Sequence, residues 1–414
     1  MSRTQAVLVV TFLLGLAGVC RAQGESIWEQ ETLTNGFWGL NDQLAEKGIG
    51  LGFDLTSMYQ INAHGGISTN ERRGRHHNRY EVTMDVDLNK LLGIEEGYFY
   101  IVAWGGWPDT EGIDEHSVGS AWGITALPYG NRGIDIVQCV YEGPLFSDNL
   151  TMAIGKLDLT GIFDTSAYAD NEYGRCSQFI NPAFVDDPAI PFPQQGLGVV
   201  LNWGITDLWY LRSGVVDAQA DFRETGFRTT FHKQDYFFYT LETGITTQFH
   251  SVNGPMPGTY RIGLWNDPQP KANSDSTKNY RDDVGFYTSC DQMLYKENAD
   301  AEDSQGLGVF ARYGYAPGKT NDITNFYSAG FQYQGLFDGW DDDVLGAAFA
   351  YGSFSNNAAS SYPEDNEKAL ETYYKVQVTP WFTLSPNIQY IANPGGSNTA
   401  ADALVFGLRA QLTF

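Results

Sequence analysis

ADALVFGLRAQLTF, residues 401–414, closes the chain with Leu404, Phe406, Leu408, Ala410, Leu412 and Phe414 in step on one face. Gly407, Arg409, Gln411 and Thr413 fall on the other. Alternation of period two over this length describes a strand with one apolar and one polar face. A terminal aromatic on such a strand is how bacterial outer-membrane barrels commonly finish. There hydrocarbon takes the apolar face, a wet lumen takes the polar face, and closure satisfies every backbone group. These residues alone fit the last half-buried strand of a soluble domain equally well, so the rest of the chain has to decide.

The amino terminus favours the membrane. Arg3 precedes an apolar run over residues 6–19, and Cys20-Arg21-Ala22 offers small residues for cleavage, so residues 1–22 read as a secretory signal. The run is too short for a comfortable helical span, and Val19 before Cys20 argues against a lipoprotein box. The expected mature chain starts near Gln23 in an oxidising compartment, with an amino-terminal segment over 23–48 and a barrel over 49–414.

Charged residues are 18% of the chain, below the roughly 25% of soluble domains, while aromatics reach 14% and glycine 46 of 414 residues. Glycine for close strand packing and aromatics for interface girdles suit a barrel. Loss of Arg3 and Arg21 leaves 23 bases against 50 acids, a balance that repels nucleic acid. Once Cys20 departs with the signal, Cys139, Cys176 and Cys290 allow at most one internal bridge, and the sequence does not say which.

Period-two reading gives about sixteen strands. In residues 49–62, Ile49, Leu51, Phe53, Leu55, Tyr59 and Ile61 oppose Asp54, Thr56, Gln60 and Asn62; in 79–89, Tyr80, Val82, Met84, Val86 and Leu88 oppose Arg79, Glu81, Thr83, Asp85 and Asp87. Long polar links (64–78, 106–132, 159–195, 219–234, 267–283) alternate with short ones, as on the two rims of an outer-membrane barrel, which puts both termini on the periplasmic side. Two links break the pattern: 250–258 and 298–305 are long for short turns, and FRTTF at 227–231 has the makings of an extra strand. One helix is expected, over residues 37–47, with Leu40 and Leu44 at helical spacing and Gly48 as its stop. It is expected to pack on the periplasmic mouth. The predicted class is therefore all-β: a transmembrane antiparallel barrel of about 16 strands with a short amino-terminal periplasmic helix.

GFWGLNDQLAEKGI, DLNKLLGI, MAIGKLDLTGIFDTS, AIPFP, GTYRIGLWND, QMLYKE, GLGVFARYGYAP, DDDVLGAAFAYGSFS, TPWFTLSPNIQYIANPGG and ALVFGLRAQLTF follow one another from about residue 36 to 414. As an ordered set they resemble the carbohydrate-selective porin family of the OprB type. The resemblance implies a sixteen-stranded outer-membrane barrel through which sugars diffuse, with no enzymatic step and no cofactor. It is weakest over 106–132 and 219–234, which are outer links, so it leaves substrate preference open. Sugars and outer-membrane lipid are the expected partners, and the residues leave monomer and homotrimer open. The rival readings are a general diffusion porin, an outer-membrane hydrolase and a soluble sugar-binding sandwich. The hydrolase needs a serine paired with a histidine, and none of the six histidines has an evident partner; His76-His77 reads as part of a solvated basic loop. Asp85, Asp87, Asn89 and Glu96 imitate a calcium loop, but Lys90 stands where that loop requires glycine, so no metal is expected.

Strand parity assigns Asp54, Arg79, Glu81, Asp85, Arg212, Glu242, Arg261, Trp265, Arg312, Glu371, Lys375, Gln389 and Arg409 to the lumen. Mixed charges and amides there suit neutral polyols, and an aromatic face suits the apolar side of a sugar ring. Lys156 runs against the pattern, since parity with Leu150, Met152 and Ile154 points it outward unless the strand bulges at Gly155. The longest link, about 37 residues over 159–195, carries Tyr168, Tyr173, Arg175, Phe179 and the stiff AIPFP. Links of that length are usually functional, so this one is expected to fold inward, meet Arg79, Arg212 and Arg261, and narrow the channel.

Overall fold

The structure is a computed structural model that describes residues 26–414 except 72, 109–111, 128–129, 170–178, 222, 225, 232–233, 273–277, 282, 301–302, 357–361 and 363–364. The signal segment, Arg175 and Cys176 therefore lie outside the described residues. The strands are β1 (Ile49–Gly66), β2 (Gly74–Asp87), β3 (Tyr98–Trp107), β4 (Arg132–Leu145), β5 (Ser147–Leu157), β6 (Gly196–Gly204), β7 (Trp209–Asp217), β8 (Phe237–Ser251) and β9 (Gly254–Asp267). After a two-residue ribbon of β10 (Lys271–Ala272) and β11 (Asn279–Tyr280) come β12 (Asp283–Lys296), β13 (Gly306–Tyr315), β14 (Ile323–Gln334), β15 (Val344–Phe354), β16 (Asn366–Thr379), β17 (Phe382–Ala392) and β18 (Ala401–Thr413). All but the ribbon pair with their neighbours into one closed antiparallel barrel of sixteen strands, β1 meeting β18.

The barrel is apolar outside and polar within. On β8, β16 and β18, Leu241, Leu370, Phe406 and Leu408 are exposed on the outer face, while Glu242, Glu371 and Arg409 between them are buried within. That inversion follows from the alternation once the outer face meets lipid. No helix among the described residues is long and apolar enough to cross a membrane; the apolar outer face of the closed barrel is the surface that suits lipid.

Three expectations about local structure are corrected. FRTTF forms turns, and the extra strands are β10 and β11. The link at 250–258 shrinks to Val252-Asn253, because β8 and β9 stay paired out to Ser251 and Gly254. His76 and His77 belong to β2: His77 is buried opposite Met58, and His76 stands opposite Tyr59 on the outer face. Lys156 does keep its outward parity, in unbroken register with Leu197. It is buried because the link after β7 folds over it, and its ammonium donates to the Ile136 carbonyl at 2.8 Å and the Glu224 carbonyl at 2.5 Å. Cys139 and Cys290 are free thiols.

The helix α1 (Asn35–Ala45) starts with Gly36, Phe37, Trp38 and Gly39 in the left-handed region, so only residues 40–45 turn right-handed. No residue of α1 is buried. Its contact with the barrel is polar instead: the Asn41 side chain accepts from the Leu51 N–H at 3.0 Å and donates to the Leu51 carbonyl at 2.7 Å. Two short helices follow elsewhere, α2 (Leu88–Leu92) and α3 (Pro182–Val185). Asp87 caps α2 by accepting from the Asn89 and Lys90 N–H groups, which is the use the structure makes of the calcium-like run.

At the closing seam the Phe414 N–H donates to the Phe53 carbonyl at 2.9 Å, and the two rings meet edge to face at 4.9 Å. Such a ring pair and hydrogen bond contribute ~1 kcal/mol each. Deleting Phe414 is expected to lower the yield of the folded, heat-modifiable species on SDS gels of the membrane fraction; an unchanged yield would show that the seam closes without it.

Candidate functional site

Two links fold back into the lumen. The first joins β5 to β6 (residues 158–195), and its described part is held from several sides of the barrel. The Asp164 N–H donates to Glu242 at 2.9 Å, and Glu242 also accepts from the hydroxyls of Tyr210 at 2.8 Å and Tyr287 at 2.9 Å. Ser166 donates to Asp291 at 2.5 Å, and Asp291 pairs with Arg261 at 2.7 Å. Arg312 donates to the carbonyls of Phe184 and Val185, both at 2.8 Å, and of Asp164 at 3.0 Å. Glu371 accepts from the N–H groups of Ile180 at 3.0 Å and Asn181 at 2.9 Å and from the Asn387 amide at 2.5 Å. Charge-assisted bonds of this kind are the strong ones. Apolar packing completes the dock, with Phe179 edge-on to Tyr373 at 4.9 Å and Phe310 at 5.9 Å. At Gly308 a Cβ would lie 2.1 Å from the Tyr168 ring, so that wall position admits the loop only as glycine.

The second inward link joins β3 to β4 (residues 108–131) and was not anticipated from the sequence. Glu367 accepts from the Ser120 hydroxyl at 2.6 Å and the Ala121 N–H at 2.8 Å. Asn62 and Gln60 on β1 donate to the carbonyls of Ser117 at 3.1 Å and Ile124 at 3.3 Å. The two links meet each other: the Ala126 N–H donates to the Ile180 carbonyl at 2.9 Å, and Gln389 bridges them, accepting from Asn181 and donating to Ile124, both at 2.9 Å.

The wall residues assigned to the lumen divide accordingly. Arg212, Glu242, Arg312, Glu371 and Gln389 grip the loop, Arg212 through the Ile162 carbonyl with its guanidinium 5.9 Å from the Phe163 ring. Arg261 reaches the link only through Asp291, the buried carboxylate that accepts from Ser166. Arg79, expected against the loop, lies over the Trp104 ring at 4.6 Å, and the Trp104 indole N–H donates to Glu81 at 2.5 Å. Asp85 is exposed below them. Trp265 is corrected as a sugar platform: it is 1% exposed, with Phe238 stacked against it at 6.3 Å. Lys375 and Arg409 are buried, and Asp54 accepts from Thr413 at 2.6 Å in the seam.

A family model described as carbohydrate-selective porin, OprB family, matches residues 71–414. The chain belongs to that family. It is an outer-membrane porin for carbohydrates. The porin is 23% identical over 449 residues to Porin B of Pseudomonas aeruginosa, covering 100% of this chain and 98% of that protein. It is likewise 23% identical to Porin AaxA of Chlamydia pneumoniae over 329 residues, 77% of this chain and 67% of the other. Its fold matches the high-pH structure of OprB from Pseudomonas putida with a TM-score of 0.80 at 20% identity, covering 94% of this chain and 100% of that one.

The porin does contain a serine–histidine pair, contrary to expectation. Ser57 Oγ lies 2.7 Å from His76 Nε2 across β1 and β2. Both side chains are on the outer face, away from the lumen.

Two carboxyls on the first inward link respond to pH. Burial pushes Asp164 up to about 6 against the pull of Arg312, and burial together with Asp164 pushes Asp187 upward as well. Both values lie above that of a solvated aspartate, so the docked link binds more protons than a released one. Docking is therefore strongest below about pH 4 and weakens as pH rises through about 6. Loop-release fluctuations in single-channel records are expected to be more frequent at about pH 8 than at about pH 5, and Asp164→Asn to flatten that dependence.

Proposed function

We propose that the porin passes neutral, glucose-sized sugars by passive diffusion, through an aperture bounded by the two docked links and by the wall carrying Arg79, Glu81 and Trp104. The observation that carries this reading is the inward docking itself. A sixteen-stranded barrel is wide enough for an aqueous channel, and the links fill much of it. The wall there carries the partly exposed Glu81, backed by the buried Arg79 and Trp104, together with the partly exposed Arg212 between Tyr210 and Phe163. A neutral polyol exchanges its water for these donors and acceptors at little cost, whereas an ion of either sign meets an opposing charge nearby. The apolar outer band takes membrane lipid, and residues 1–22 serve as the export signal.

No catalytic step is part of this proposal. Ser57 sits mid-strand, where β1 is paired on both sides, and His76 is the third residue of β2, so the backbone N–H groups beside Ser57 that an oxyanion would need are committed to the ladder. Purified protein is expected to hydrolyse no ester substrate above the rate of a Ser57→Ala variant.

Planar-bilayer and liposome-swelling measurements across mono-, di- and trisaccharides test the reading. Permeability is expected to fall steeply with sugar size. Equal rates for a monosaccharide and for an amino acid or anion of similar size would leave a general diffusion porin.

A further inference from the structure

On the rim that carries the long links, an open cavity of about 510 Å³ is lined by Tyr280, Lys319, Thr324, Phe354, Ser355 and Asn356. Its size falls within the ~300–1,000 Å³ range of small-molecule sites. It stands apart from the aperture residues described above, and its walls are fixed. The Lys271 ammonium pairs with Asp283 at 2.7 Å and Asp267 at 3.1 Å, which ties the ribbon bearing Tyr280 to the barrel. Asn321 donates to Asp283 at 2.8 Å and to the Pro317 carbonyl at 3.0 Å, which ties in the segment bearing Lys319. The floor is closed by Ser355, whose hydroxyl donates to the Gly318 carbonyl at 2.5 Å and whose N–H donates to the Asp322 carbonyl at 2.7 Å. Phe354 stacks on Tyr362 at 4.2 Å, and the Tyr362 hydroxyl reaches the Ala121 carbonyl of the second inward link at 3.2 Å. The cavity thus abuts one of the two elements that bound the aperture.

We propose that this cavity is a saccharide capture site in the vestibule, occupied before a sugar enters the aperture; the proposal rests on the sugar-permeation reading above. Tyr280 supplies an aromatic surface for the apolar C–H face of a pyranose ring. Lys319, whose ammonium lies 5.7 Å from the Tyr280 ring centroid, and the Asn356 amide supply hydrogen bonds to ring hydroxyls. A neutral polyol can use the Lys319 and Asn356 donors without supplying a charge of its own. A preformed, weak site suits a channel, because occupancy must raise the local sugar concentration without trapping the sugar.

The test is sugar-induced current interruption in planar bilayers, with glucose or a glucose disaccharide added to one side at a time. Tyr280→Ala is expected to lower the association rate from the loop-bearing side about fivefold, the loss of one aromatic contact. The rate from the opposite side and the open-channel conductance are expected to stay as in the parent. Asn356→Ala is expected to act in the same direction, and heat-modifiable migration checks that each variant is folded. If neither variant alters association from the loop side while the parent still shows interruptions, the capture site is overturned and the permeation reading stands. If the parent shows neither interruptions nor sugar flux, both fall.

Discussion

Shortening the first inward link between Tyr168 and Pro193 is expected to raise single-channel conductance several-fold and to erase discrimination among sugars by size. The link places Phe179, Phe184, Ile180 and Asn181, all buried, inside the barrel against the wall of β13, β16 and β17. Its removal returns that volume to water. The barrel itself is expected to survive, because every strand-to-strand pairing is made without the link. A well-folded deletion with parental conductance and parental sugar preference would place the constriction elsewhere.

Arg312→Met should have an effect nearly as large without removing a residue. Arg312 is 4% exposed and donates to three carbonyls of the link, with the Asp164 carboxylate 3.5 Å away. Each buried acceptor left without a donor costs ~1–3 kcal/mol, and stranding one partner of a buried ion pair costs ~3–5 kcal/mol. The docked state cannot absorb both losses as readily as a released one, whose carbonyls reach water. The expected record is a noisy, high-conductance channel with weakened sugar preference and unchanged heat-modifiable migration. Arg312→Lys keeps the charge but not the three-way donor geometry, and is expected to fall between. A quiet channel of parental conductance in Arg312→Met would show that Glu242 and Glu371 suffice to hold the link.

The strands were legible because period two is written locally: Tyr80 and Glu81, or Leu408 and Arg409, declare their faces within a few residues. The inward fold of the first link was legible from its length and its aromatic content. What lay beyond reach was cover. Parity places Glu371 and Trp265 in the lumen, yet whether each meets water or protein depends on segments remote in the chain. Glu371 meets the backbone of Ile180 and Asn181, and Trp265 meets Phe238. The second inward link gave little warning, although Glu367 and Glu371, four apart on one strand and therefore on one face, form a pair of acids that a lumen wall needs a reason to keep. The short helix was legible too, but Leu40 and Leu44 at helical spacing gave no sign that its bond to the barrel runs through Asn41.

That asparagine has a consequence for how the folded porin meets other copies of itself. β1 reaches Ile49, but its pairing with β18 begins only at Asp54, so the start of β1 has a bare edge on that side. Bare edges recruit strands from other molecules. The Asn41 amide, offering one donor and one acceptor to Leu51, imitates a single residue of a neighbouring strand and blocks the template. A chain beginning at Ile49 would retain every barrel pairing and still be expected to self-associate through this edge, as sedimentation of the refolded protein would reveal.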